Sequence, residues 1–240
     1  MSTSVDQTRF VDDQAFFTKM AVALAVLIVF GFAQFSLRGM VDWRTVPIIV
    51  HVHGAAMLAW LGLFVAQNWL AERGDFVLHR RLGRASVLLL AFVVVLGCAT
   101  GITALRTHAV PPFFTNPYFL ALTQVEALGF GALVIAAILL RADVEWHRRL
   151  MLGAVIFVTE PALGRLLPMP FLGEWGGWLE VVCQLAIVGV VIVHELHVLG
   201  RVHPATFTII AILVGGHALI EALAVNASVA VLAEQIASGS

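Results

Sequence analysis

Runs of about 20 apolar residues broken by short polar segments dominate this chain, and no period-two alternation of a half-buried strand competes with them. Each run is long enough to cross the hydrocarbon layer of a membrane as a tilted helix. The pattern predicts spans over 17 to 37, 46 to 70, 85 to 106, 118 to 140, 148 to 168, 177 to 199 and 205 to 231. The expected fold is therefore all-α, a polytopic membrane bundle of about seven transmembrane helices forming a single domain over 1 to 240. Residues 1 to 16, with Asp6, Asp12 and Asp13, read as a polar N-terminal tail ahead of an uncleaved first span. Pro47 and Pro204 suit first helical turns, and Pro111, Pro112 and Pro117 mark the loop before span four. Pro161 falls inside span five, where it predicts a kink and freed carbonyls that a neighbouring helix or water must satisfy.

Composition agrees with the spans. With 60% apolar residues, 12% charged ones and a mean hydropathy of +0.96, a soluble domain would have no polar surface to wear. The net charge of -1 points to no nucleic-acid partner, and membrane lipid, with other membrane subunits, is the expected company. Cys98 and Cys183 lie within apolar runs and form no CxxC pair. Basic residues set the orientation: Arg73, Arg80, Arg81 and Arg84 follow span two, Arg141, Arg148 and Arg149 follow span four, and Arg201 follows span six. Those loops are expected on the cytoplasmic side, which gives an N-in, C-out topology.

Six ionisable residues fall inside the predicted spans: His53, Glu126, Glu160, Glu180, His217 and Glu221. Such groups are costly in lipid and mark function by default. With alternating spans, all six come to lie one to four turns from the same, outer, face. The i, i+4 spacing puts His217 and Glu221 on one side of their helix. Carboxylates with a few imidazoles from facing helices suit iron, copper, manganese or zinc, and two intramembrane imidazoles, His53 and His217, could instead be the axial ligands of a haem b. Carboxyls that are protonated and tie helices together, or relay protons, are the remaining readings.

A second set, His79, His147, His194, Glu195, His197 and His203, gathers toward the opposite, cytoplasmic, face. His194 and His197 share a helix side, and one further histidine with a carboxylate or water would complete a tetrahedral zinc site. Helix caps and headgroup contacts beside the arginines are the structural alternative. Lys19 is the only lysine, so a retinal Schiff base in span seven is excluded.

An internal repeat links the hairpins: Leu78-His79-Arg80-Arg81-Leu82-Gly83 recurs 68 residues later as Trp146-His147-Arg148-Arg149-Leu150-Met151, with a looser copy at Gly200-Arg201-Val202-His203-Pro204. Together with His51-Val52-His53-Gly54 and the extension to Ala205-Thr206, these segments resemble those of a family of uncharacterised bacterial inner-membrane proteins with seven helices. The resemblance implies the topology and a bacterial inner-membrane location, and it singles out His53, His79, His147 and His203 while leaving out His217 and Glu221. The expected function is a membrane-embedded, metal-dependent oxidoreductase acting on a lipophilic substrate through the intramembrane His/Glu site. The alternatives are a b-type haem electron carrier and a non-catalytic subunit or transporter.

Overall fold

The computed structural model describes residues 2 to 239, all of whose regular structure is helical. Six helices are long and apolar enough to cross a membrane: the 13 to 37 part of α1 (Ser2–Leu37), α2 (Ile48–Glu72), α3 (Phe76–Arg106), α4 (Asn116–Leu139), α8 (Gly176–Leu199) and α9 (Pro204–Ala224). Shorter helices α5 (Val144–Phe157), α6 (Glu160–Leu166) and α7 (Met169–Leu172) lie between α4 and α8, and α10 (Ala227–Ser238) closes the chain. Their starts follow local capping chemistry. Asp75 accepts from the Leu78 amide, Thr115 from Tyr118, Asp143 from Glu145 and Trp146, and Asn226 from Ser228 and Val229. Gly74 and Gly200 take the left-handed backbone that ends α2 and α8.

Helices α1 to α5 pack in chain order, α9 lies against α4, α5 and α8, and α6 returns to α1. At that last contact a Cβ on Gly31 would sit 2.8 Å from the Ala162 carbonyl, so only glycine admits the approach. The interior is filled by Phe17, Trp60, Phe130, Ile156 and Leu213, while Leu88, Val95, Leu139 and Val193 point outward and are more than 60% exposed. An apolar interior under an apolar exterior is what lipid selects.

The fifth apolar run is not one helix. It breaks between Phe157 and Glu160, where Pro161 has no amide to offer the Phe157 carbonyl. Gln184 of α8 satisfies the break, its Nε2 donating to Phe157 O at 3.0 Å and Ile156 O at 3.2 Å, and the Thr159 hydroxyl donates to Ile156 O at 2.6 Å. The kink expected at Pro161 is present, and a neighbouring helix does supply the missing donor.

One expectation needs correction. Span seven does not run to 231: α9 stops at Ala224, Asn226 caps a new helix, and α10 folds back so that Ala233 packs on Leu105 and Leu120 while Asn116 Nδ2 donates to Glu234 at 3.1 Å. Hydropathy continues through this turn because both helices are Ala- and Val-rich. The polar stretch ahead of the first span is helical, since α1 covers Ser2–Leu37 and buries Asp13 and Gln14 at its packing face. Their partners, Arg148, His194 and Asn68, lie far away in sequence.

Replacing Gln184 with Leu removes the only side chain from another helix that, among the described residues, bonds the broken turn. We expect a loss of roughly 1 kcal/mol, read as a lower melting temperature of the detergent-solubilised protein, with Gln184→Asn intermediate; an unchanged melting temperature for Q184L would contradict this role.

Candidate functional site

The helix break sets the outer cluster. Glu160 is the first residue of α6, where the open amides of a helix start favour a carboxylate. It faces α8 and α9. Glu180 comes from α8, Glu126 from the middle of α4, and His217 and Glu221 from successive turns of α9. Two glycines make room. A Cβ on Gly164 would lie 2.6 Å from a Glu180 oxygen, and one on Gly177 would collide with the His217 ring and come within 2.7 Å of the Tyr118 hydroxyl.

His217 stands between two carboxylates. Its Nδ1 is 3.7 Å from Glu160 Oε1 and its Nε2 is 3.5 Å from Glu221 Oε1, each beyond hydrogen-bond length. The imidazole is 1% exposed, and both of its nitrogens are buried without a hydrogen-bond partner, as are Glu160 Oε1 and Glu126 Oε1. Trp178 packs edge-on against the ring with centres 4.5 Å apart. The Glu160 and Glu180 carboxyls lie close enough to act on each other electrostatically. Glu126 lies within electrostatic range of both, and Tyr118, the single tyrosine, lies within range of all four glutamates.

One guanidinium answers these charges. Arg165 is close enough to act on Glu126 and Glu180, yet its Nη1 donates to Pro161 O at 2.6 Å and its plane lies over Phe32, 4.1 Å from the ring centre. Four ionised carboxylates against one arginine would leave three uncompensated negative charges, and two even with His217 charged. Such an excess is not sustained in a low-dielectric interior, so protons or a cation must supply the balance.

Five of the six residues singled out for the outer site thus lie in one neighbourhood. His53 does not join them. It sits on α2 against Gly97 of α3, with its Nδ1 buried and unpartnered, and no hydrogen bond or ion pair ties it to the cluster among the described residues. His217, by contrast, packs against Gly177 and Trp178 of α8. On α2, Trp60 and Gln67 follow His53 at seven-residue intervals, and each has a buried polar atom without a partner.

The second set divides into three arrangements. His79 and His147, at matching places in the repeat, each bring Nδ1 to a carbonyl of the preceding helix: Gln67 O at 3.2 Å and Ala137 O at 2.8 Å. Their rings meet edge to face. His194 joins Asp13 at 2.7 Å and stacks on Phe16, and His197 is exposed. His203 caps α9, its Nδ1 accepting from the Ala205 amide at 3.1 Å.

Glu195 belongs to an ion network that also draws in Arg149, Arg148, Glu145 and Asp13, none of them in the second set. Arg149 Nε donates to Glu195 at 2.5 Å, and the same carboxylate accepts from the Thr206 hydroxyl at 2.7 Å and the His203 amide at 2.9 Å. Glu145 binds both Arg148 and Arg149, Arg148 continues to Asp13, and both guanidiniums lie over Phe17. The two arginines come from the repeated His-Arg-Arg segment. Their sequence signal was spent on orientation.

Among the described residues, no three His, Cys, Asp or Glu side chains gather closely enough to hold a metal ion. No family model, curated protein or solved structure matches the chain.

Burial, and next to it the charge of Arg149, holds the His203 imidazole below its usual range. A folded-state value below the unfolded one means that the unfolded chain takes up the proton first, so stability falls as pH drops through about 6.5. Protonation also removes the Nδ1 acceptor that caps α9. His203→Asn keeps a capping oxygen and cannot titrate, so its melting temperature relative to the wild-type chain should rise as pH falls from about 7.5 to 5.5; parallel curves would contradict the cap.

Proposed function

We propose that the outer cluster holds and passes protons within a multi-pass membrane protein, and that this is the working centre of the chain. The observation that carries the reading is the uncompensated charge. Four buried or half-buried glutamates surround one imidazole with a single arginine among them, and Glu160 and Glu180 lie within electrostatic range of each other. His217 suits transfer, because a proton received at Nδ1 from the Glu160 side releases another from Nε2 toward Glu221 without turning the ring. Glu221, with 39% of its side chain exposed, is then the outlet. The gaps of 3.7 Å and 3.5 Å close by small side-chain movements or by one bridging water.

The same atoms favour a second reading, a metal-dependent oxidoreductase acting on a lipophilic substrate. Glu160 Oε1 and His217 Nδ1 face each other across 3.7 Å with neither bonded elsewhere, and Glu126 Oε1 is a further unpartnered donor. Two donors fit iron, copper, manganese or zinc, and a third needs Glu126 to move in. Such a metal would supply redox or Lewis-acid chemistry. In this chain Glu160 and His217 would hold it, while Gly177 and Trp178 fix the imidazole plane.

We further propose seven crossings in a bacterial inner membrane, with α5 and α6 together making the fifth across the break. The N terminus is inside and the C terminus outside, as the arginines after α2, α4 and α8 favour. Two of the three cytoplasmic hairpin turns, those after α2 and α4, then carry the His-Arg-Arg segments, and the Glu/His cluster lies toward the outer leaflet.

Infrared spectroscopy of the detergent-purified chain at neutral pH, with elemental analysis of the same sample, separates the two site readings. Proton storage predicts a protonated-carboxyl band that shifts in D2O and is lost or reduced in Glu180→Gln, without stoichiometric metal. Absence of that band, or a full equivalent of metal lost in Glu160→Gln, would overturn it. For the topology, alkaline phosphatase fused after residue 240 should be active in a bacterial host, and an inactive enzyme at full expression would place the C terminus inside.

A further inference from the structure

The two copies of the His-Arg-Arg segment differ in what surrounds their arginines. In the second copy Glu145 binds both Arg148 and Arg149, which are buried, and Leu152 is a core residue. The places 68 residues earlier are held by Val77 and Arg84. The first copy therefore lacks the neutralising acid and carries one more guanidinium. Arg80, Arg81 and Arg84 are all exposed, and among the described residues none of them has an ion pair or a side-chain hydrogen bond.

All three lie on the side of α3 that meets lipid. At about 3.6 residues per turn, Val77, Arg80, Arg81, Arg84, Leu88 and Val95 fall within an arc of roughly 100°. Val77, Leu88 and Val95 are 57%, 79% and 65% exposed, while His79 and Gly83 turn the other way, toward Gln67 of α2. Arg84 follows Arg81 by three residues and Arg80 by four, so the three side chains are neighbours and repel one another. No acid of their own helix relieves them, because α3 contains none. Asp75, in the turn before it, is engaged with the Leu78 amide, and Arg73 lies over Trp69. Guanidiniums take phosphate oxygens in forked hydrogen bonds, and their long stems reach from an apolar helix face to headgroup level. A soluble anion would use the charge and leave the apolar stripe beyond it uncovered; a phospholipid covers both.

We propose that Arg80, Arg81 and Arg84 bind the phosphate of an anionic phospholipid whose acyl chains run along Leu88 and Val95. Arg84 borders both other arginines and is the centre of the site. The second copy of the segment, with its acid in place, locks helices together, and the first takes its counter-charge from the membrane. The site shares no residue with the Glu/His cluster, so neither reading of that cluster bears on it.

Native mass spectrometry of the detergent-purified full chain, offered equal amounts of phosphatidylglycerol and phosphatidylcholine with the same acyl chains, reads the preference directly. We expect phosphatidylglycerol to be retained over phosphatidylcholine, a preference about fivefold weaker in Arg84→Gln and absent when all three arginines are replaced by glutamine. Val77→Glu leaves every arginine in place and returns the acid of the second copy, so it should weaken the preference, whereas Val77→Leu should keep it. Arg106→Gln, at the far end of the same helix, should bind as the wild-type chain does. Equal retention of the two lipids by the wild-type chain, an unchanged preference in a folded triple variant, or displacement of the lipid by excess inorganic phosphate would overturn the proposal. Folding is judged by helical circular dichroism and elution volume; if the triple variant fails to fold, the wild-type comparison and Val77→Glu decide.

Discussion

Inside lipid there is no water to bond a stray carbonyl, and the half of this molecule that holds the glutamates is arranged around one place where the chain creates such carbonyls. Pro161 cannot donate to Phe157, so the helix breaks between α5 and α6, and Gln184 reaches over from α8 to close the break. That bond draws α8 against the α5–α6 junction. The restarted helix presents Glu160 on its first turn, and Gly164 one turn on leaves space for Glu180. Gly31 lets α1 come up against the same short helix, and Gln34 of α1 donates to Arg165 O at 2.8 Å. Repair of one backbone defect therefore assembles the glutamates.

The two polar clusters of the chain obey opposite rules of charge. At the starts of α5 and α9, Arg148 and Arg149 face Asp13, Glu145 and Glu195, with His194 on Asp13; nearly every acid there has a base or a donor in contact. A paired network of this kind locks helices in register and has little free capacity for chemistry. Beside Glu160 the balance fails. Arg165 is turned partly onto Phe32 and Pro161, and the His217 imidazole has no hydrogen bond. Unpaired, buried and convergent polar atoms are what a working site needs and what a purely structural one avoids.

The histidine-arginine repeat shows how one motif serves several ends. In both full copies the imidazole fastens the start of a helix to the end of the one before it, and in the looser copy His203 caps α9. In the second copy the following arginines turn inward to the ion network, whereas Arg80 and Arg81 of the first copy remain exposed. The motif is the same, and its surroundings differ because α1 and α8 pack beside α5 and bring Asp13, His194 and Glu195 to it.

By itself the sequence determined the class, most of the long helices, the kink at Pro161 and five of the residues that share the outer cluster. It could do so because apolar length, proline and an ionisable residue in an apolar run each carry a local cost that does not depend on the rest of the fold. What only the tertiary structure decided is which buried group meets which. His53 faces Gly97 and not the glutamates, Asp13 leaves the expected tail to meet Arg148, and α9 ends at Ala224 because Asn226 restarts the helix. Those outcomes depend on helix rotation and on partners more than 100 residues away, or on a cap that hydropathy does not register. The division between a balanced and an unbalanced cluster likewise follows from three-dimensional pairing, since both draw on the same few residue types.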